Sequence, residues 1–312
     1  TGRKRCIIIS FICIVLIFNT METVSIHKPK VVVIGSCNTD MVVKANRLPV
    51  PGETVLGGTF YMNPGGKGAN QAIAASRLGA EVTFISKIGY DLFGLQALEI
   101  YKSEKINTEF IFTDQKSPSG VALISVDSFG ENSIIVAPGA SRSLSIEDIN
   151  KAEEKIREAD IILMQLEVPI ETAEYAATIA NKYNKKVILN PAPASTLSNA
   201  FLRNIHTILP NRIEAEMLSG IKVMDIESAH RAAKTIGDKG IENVVITLGK
   251  DGAYVKEKDK YAMIPAKQVE TIDTTGAGDV FCGAFSVCLS EKHSLTAVSY
   301  THLRAHETSL HL

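Results

Sequence analysis

The residues best suited to chemistry in this chain lie in DTTGAGDVFCGAF, 273–285, where two carboxylates flank Gly-Ala-Gly and a run of small and apolar residues follows. Glycine lets backbone N–H groups approach a ligand closely, and a helix N-terminus carries partial positive charge, so such a turn can hold an anion. A carboxylate placed there repels a phosphate unless it has another task. The task expected of Asp279, in the first turn of a helix, is to take a proton from a hydroxyl that attacks phosphorus. The N–H groups of residues 276–279, including those of Gly276, Ala277 and Gly278, are the expected anion hole for a phosphoryl group in transfer. A helix cap accounts for one aspartate but not for the glycine pair beside it.

Three further clusters offer polar groups at the ends of apolar runs. In NPGGKGANQ, Gly65, Gly66 and Gly68 surround Lys67 ahead of a small-residue helix. This is either a glycine-rich helix entry or a loop whose backbone approaches a polyhydroxylated ligand, with Lys67 and Asn70 as donors. NTD, 38–40, follows the first strand, where open α/β sheets bind ligands. Asn38 and Asp40 either close an Asx turn or fork onto adjacent hydroxyls. Glu167 and Asn211 end two later strands, and Asn211 with Glu214 forms N-x-x-E. That pair reads as a helix cap with an acid in the first turn, or, near a phosphate site, as the holder of the waters of a Mg²⁺.

These groups need a frame. KVVVIGS reads as a buried parallel strand, and EVTFISKIG, ADIILMQLE, KKVILNPAP, HTILPN and NVVITLG repeat the pattern. Helical stretches such as ANQAIAASRLGA, IETAEYAATIANKYN and IESAHRAAKTIGDKG separate them, which predicts an α/β fold: a mainly parallel central sheet flanked by helices on both faces. SCNTD follows the first strand where a dinucleotide fold needs GxGxxG, and no GxxxxGK[ST] occurs anywhere, so nicotinamide and Walker A readings fail. Two segments, about 40–62 and 119–137, hold β-formers and turn residues with no helix between them. They predict a small antiparallel sheet with one face free to cover a site or a partner.

The chain has 312 residues, 45% hydrophobic and 21% charged, with net charge -1. That suits a sizeable core and opposes a general nucleic-acid binder, which needs clustered Lys and Arg. Cys6, Cys13, Cys37, Cys282 and Cys288 form no CxxC or zinc spacing and read as reduced thiols. RKRCIIISFICIVLIF, 3–18, is too apolar for a loop and too short for a span, so residues 1–29 read as an apolar leader or, in preference, a non-native extension, with no stable membrane association and a cytoplasmic protein expected. SYTHLRAHETSLHL, 299–312, carries three histidines without an apolar stripe and reads as a scar in preference to a metal-binding tail.

GGKGAN, NPAPA, LPNRIEAE, TLGKDG and DTTGAGDVFCGAF, in this order between about residues 30 and 298, resemble the motifs of the ribokinase-like, or phosphofructokinase B, carbohydrate kinase family. The resemblance implies a β-sheet lid over the site that also forms a homodimer interface, and transfer of phosphate from ATP to D-ribose, giving D-ribose 5-phosphate and ADP. By that likeness Asp279 is the base. Asn38, Asp40, Gly66, Lys67, Asn70 and Glu167 bind sugar, Asn211, Thr247, Gly249 and Gly252 line the nucleotide site, Glu214 is linked to Mg²⁺, and Asp273 and Thr275 help bind K⁺.

Members of the family continue past residue 298 with a helical segment that closes the adenine pocket and completes the K⁺ site. Here the match fails near Ser299, so the natural C-terminus is expected to be missing. Deoxyribose, fructose, a ketodeoxy sugar acid or a nucleoside are alternative acceptors. The two lid segments offer only Phe60, Tyr61 and Phe129 for base stacking and the chain has no Trp, which disfavours the nucleoside. A truncated, inactive sugar-binding homologue is the alternative outside enzymes; a sugar sensor would be expected to have lost Asp279.

Overall fold

The computed structural model describes residues 28–266, 276–291 and 295. The expectations for the N-terminal extension before residue 28 and for the tail beyond 298 therefore lie outside the described residues, as do those for Asp273 and Thr275.

The apolar runs become strands and the small-residue stretches helices. The chain opens with β1 (Lys30–Ile34), β2 (Asn38–Lys44), β3 (Thr59–Gly65), α1 (Lys67–Arg77), β4 (Glu81–Gly89), α2 (Leu92–Ser103) and β5 (Ile111–Asp114). It continues through β6 (Gly120–Val126), β7 (Asn132–Ala137), α3 (Ile146–Lys151), α4 (Glu153–Glu158), β8 (Ile161–Met164), α5 (Ile170–Lys182), β9 (Lys186–Leu189) and α6 (Asn199–Arg203). The last described elements are β10 (Thr207–Ile208), α7 (Arg212–Ser219), α8 (Ile226–Gly237), β11 (Asn243–Thr247), β12 (Ala253–Glu257), β13 (Lys260–Ile264) and α9 (Ala277–Ser290).

Nine strands form one sheet in the order β13-β12-β11-β10-β9-β8-β1-β4-β5. From β5 to β11 neighbours run parallel, whereas β12 and β13 are antiparallel. The reason is the connection: a single 3-10 turn, Gly249–Asp251, separates β11 from β12, and a parallel partner needs a crossover of a dozen residues or more.

Successive side chains of a strand point to opposite faces, and both faces here are buried. Val32, Ile34, Ile162 and Met164 pack with α5 and α8. Val31, Val33, Phe84 and Leu163 pack with Ala69, Ala72 and Ile73 of α1 and with Phe281 and Phe285 of α9. Among the described residues no helix is long and apolar enough to cross a membrane.

The second sheet has the order β3-β2-β6-β7. It is mixed, which corrects the antiparallel expectation: β2 and β6 pair in parallel, because α1, β4, α2 and β5 intervene between the two hairpins and return the chain in the direction of β2.

In the large sheet β1 has β4 on one side and β8 on the other. The chain leaves β1 towards one edge and later returns at β8 to build the other. The crevice beyond the carboxyl ends of these two strands is the place where such sheets bind ligands.

Candidate active site

Backbone contact seats α1 at this crevice. A methyl on Gly68 would lie 2.7 Å from Ser36 O and from the carbonyl carbon of Gly35, so only glycine allows the helix start to rest on the end of β1. Ala69 N–H then donates to Ser36 O at 3.0 Å. Gly66 is the N-cap of the helix. Lys67 N–H donates to Glu167 Oε2 at 3.0 Å, and Ser36 Oγ donates to the same oxygen. The glycine loop is thus a helix entry that brings Lys67 to Glu167 and Asn70 to Asp279.

Across from α1 lies the first turn of α9. Gly276, in the left-handed conformation at φ 72°, is its N-cap, and nothing lies within 4 Å of the place a side chain would occupy on Gly278. The first N–H groups of a helix have no intrahelical acceptor, which leaves those of Ala277 and Gly278 for other partners. Asp279 is 7% exposed. Its Oδ2 accepts from Asn70 Nδ2 at 3.1 Å and its Oδ1 from Gln71 Nε2 at 3.0 Å. Burial pushes its carboxyl above the ordinary carboxylate range, against the opposing pull of the Lys67 ammonium and the two amides. Burial also disfavours the charge of Lys67, yet the fields of Asp279, Glu167 and Glu214 hold its ammonium above the usual value.

Asn38 and Asp40 open β2 in extended conformation, so the Asx-turn reading is replaced by a strand. They share one face of the small sheet, where Asn38 lies opposite Gly65 of β3 and Gly120 of β6 and Asp40 lies opposite Asn63 and Ala122. Side chains at those glycines would overlap Asp40 and Asn38. Asn38 Oδ1 is buried and has no hydrogen-bond partner among the described residues. Burial, then the charges of Glu167 and Asp279, carry the Asp40 carboxyl to about 6, with Lys67 acting the other way.

On the other side of the crevice Asn211 caps α7. Its side chain accepts from Glu214 N–H at 2.9 Å, while Glu214 Oε2 accepts from Asn211 N–H at 2.8 Å and Oε1 from Asn211 Nδ2 at 2.9 Å. The capping reading of N-x-x-E is therefore realised. It does not exclude the other, since each carboxylate oxygen keeps a lone pair for a metal-bound water. Burial raises the Glu214 carboxyl, offset in part by the Asn211 N–H and by Lys67. Among the described residues no three acidic, histidine or cysteine groups could cage a bare ion. The donor set suits a hydrated Mg²⁺ held through Glu214.

Thr247 bridges to Asn211 at the end of β11, and Gly249 and Gly252 bound the turn to β12. Arg212 pins that turn to the start of α7 through Asp251 at 2.6 Å. Sequence reasoning missed Ser36, Gln71, Gln165 and Asn190. The signal was available in ANQAIAAS: an amide in the middle of an alanine-rich, buried face needs partners. Burial pushes the Cys37 thiol up to about 11 and Cys282 well above its usual value, so neither is a nucleophile.

Residues 28–299 match the family described as pfkB family carbohydrate kinase. The protein named Ribokinase from Haemophilus influenzae is 46% identical over 262 residues, 84% of this chain and 86% of that one. A Deoxyribokinase from Salmonella typhi is 37% identical over 257 residues, 82% and 84% of the two chains. Among solved structures, the Arabidopsis thaliana ribokinase complexed with ribose and ATP matches with a TM-score of 0.83 and 29% identity, covering 91% of this chain and 93% of that one.

Proposed function

Because the chain belongs to the pfkB carbohydrate kinase family, we propose that it transfers the γ-phosphoryl group of ATP to the 5-hydroxyl of D-ribose. The observation that carries this reading is a buried carboxylate, Asp279, in the first turn of a helix that starts at Gly276-Ala277-Gly278, hydrogen-bonded to Asn70 of the sugar-side helix. Asn38 and Asp40 take the ring hydroxyls, with Glu167, Lys67, Asn70 and the Gly66 backbone around them. Ribose has adjacent hydroxyls for an Asp–Asn fork, and Asn38 Oδ1 awaits a donor.

In this reaction Asp279 removes the proton of the 5-hydroxyl as that oxygen attacks phosphorus. The N–H groups of Gly276, Ala277 and Gly278 stabilise charge on the equatorial oxygens of the phosphoryl group. Asn211, Thr247, Gly249 and Gly252 line the nucleotide. Mg²⁺, held by Glu214 through water, would neutralise the phosphates when bound. K⁺ would act at Asp273 and Thr275 and order the anion-hole loop, an assignment that rests on the family resemblance. The test is ADP release over a sugar panel, with and without K⁺: turnover with ribose exceeding that with fructose and deoxyribose supports the reading, and a preference for deoxyribose favours the activity named for the Salmonella typhi relative.

The Asp40 carboxyl supplies a pH prediction. It titrates at about 6 in the fold against an ordinary 3.8, so the folded chain binds the extra proton between those values. This group therefore lowers stability as pH rises from about 3.8 to about 6 and has no further effect above. Only the ionised form accepts two hydroxyls, so the ribose Kd is expected to be about tenfold weaker at pH 5 than at pH 7. Calorimetric titration checks this, and a Kd constant over that range contradicts the role of Asp40.

The lid sheet supports a homodimer. Its face opposite Asp40 exposes Val43, Phe60, Met62, Leu123 and Ile135, a patch too apolar for open solvent. Ile135→Asp combined with Phe60→Asp is expected to halve the mass found by sedimentation equilibrium; an unchanged mass counts against this interface. ATP as substrate and the buried thiols Cys37 and Cys282, which form no disulfide, favour a cytoplasmic setting.

A further inference from the structure

Behind the proposed base lies a chain of buried amides with no part in the reaction outlined above. Gln71 and Gln165 are 0% exposed and Asn190 is 9% exposed. Gln71 Nε2 donates to Asp279 Oδ1 at 3.0 Å and to Asn190 Oδ1 at 3.1 Å, which uses both of its hydrogens. Gln71 Oε1 accepts from Gln165 Nε2 at 2.6 Å, and Asn190 Nδ2 donates to Leu209 O at 3.1 Å.

This pattern leaves the Gln71 amide one possible orientation. Turned over, its oxygen would face the acceptor oxygens of Asp279 and Asn190, and its NH₂ would face the NH₂ of Gln165. Gln165, Asn190 and Leu209 lie just beyond the ends of β8, β9 and β10, so three strands of the rigid sheet fix the direction of one N–H. The second oxygen of Asp279 is held differently, by Asn70, a half-buried side chain that the sugar reading places on the substrate.

We infer that Gln71 is a positioning residue: its amide, locked by Gln165 and Asn190, holds Oδ1 of Asp279 permanently and leaves Oδ2 as the oxygen that accepts the proton once Asn70 turns to the sugar. This deepens the kinase reading and rests on it for the identity of the attacking hydroxyl; the hydrogen-bond chain itself stands without substrate. The grip on the base comes from the sheet, through α1. Lys67, Glu167, Glu214, Asp40 and Cys282 also act on the charge of Asp279, and none of them donates a hydrogen bond to it.

The test compares the unaltered chain with Gln71→Met, which keeps the volume and removes the donor. Loss of that hydrogen bond is expected to raise the midpoint of the Asp279 carboxyl, followed by ¹³C NMR without substrate, by about one pH unit. Turnover is expected to fall about 30-fold with the ribose KM within about threefold, and the acid limb of kcat against pH to move up with the carboxyl. A purely structural role would lower the melting temperature and leave both midpoints where they were, and that result overturns the inference. If Gln71→Met does not fold, Gln165→Met removes only the lock. It is expected to lower kcat about fivefold at constant KM, and an unchanged kcat overturns the inference equally. No ribose-dependent ADP release from the unaltered chain would instead sink the substrate reading, while the substrate-free titration still judges Gln71.

Discussion

Asp279→Asn is expected to lower kcat by about 10³-fold while the ribose Kd stays within about threefold of its original value. The substitution keeps the size and planarity of the side chain and removes its ability to take a proton. Asparagine can still accept from either Asn70 or Gln71, although its own NH₂ then faces the other donor. That loss is offset by the removal of a charge that burial disfavours, as the raised carboxyl of Asp279 records. The two effects oppose each other, so the melting temperature should change little and the lost turnover cannot be assigned to unfolding. Stopped-flow or coupled measurement of ADP release, beside calorimetry with ribose, separates the terms. Turnover within tenfold of the unaltered chain would remove Asp279 from the role of base.

Gly283→Val is the second large expected effect. Gly283 follows Asp279 by four residues and lies on the same face of α9. A methyl there would sit 2.6 Å from Gln71 O and 2.7 Å from Ala74 Cβ, so α9 and α1 touch through this position. A branched side chain must push the helices apart at the residue that grips Asp279. Overpacking of this kind costs about 1–3 kcal/mol of stability, and a shift of about 1 Å at the base costs about 10²-fold in kcat/KM. Thermal unfolding and kcat/KM, measured on the same sample, should both fall. A variant with unaltered kcat/KM would mean that the contact between α1 and α9 does not set the position of the base.

Much of this frame is legible in the residues. The buried β-branched runs of β1, β4, β8 and β11 announce parallel strands, because both their faces are covered and no polar alternation is needed. The glycine clusters mark the two helix starts that meet at the crevice. Other features are not legible locally. The helix α2 carries exposed Leu92 and Leu95, which blur its amphipathic pattern, and only the Asp91 cap signals its start. The parallel pairing of β2 with β6 depends on the path of the chain between two hairpins, and no property of either strand encodes it.

The site divides in the same way. Asp279 and Lys67 are conspicuous because acid and base stand among glycines. Asn211 and Glu214 satisfy a cap and a water-mediated metal contact equally well, since both use an amide and a carboxylate at the start of a helix. The link from Gln71 to Asn190 joins residues 119 positions apart, and nothing in the sequence spacing predicts it. Gly65 and Gly120 likewise acquire meaning only when the registers of β3 and β6 set both against Asn38, where they leave room for the side chains of Asp40 and Asn38.

A crystal structure with ribose and a non-hydrolysable ATP analogue tests the central claim most directly. The account predicts the 5-hydroxyl oxygen at about 2.7 Å from Asp279 Oδ2, the γ-phosphate against the N–H groups of Gly276 to Gly278, and the ring hydroxyls on Asn38 and Asp40. A sugar bound with its 5-hydroxyl beyond hydrogen-bond reach of Asp279, or a terminal phosphate away from the start of α9, would contradict it.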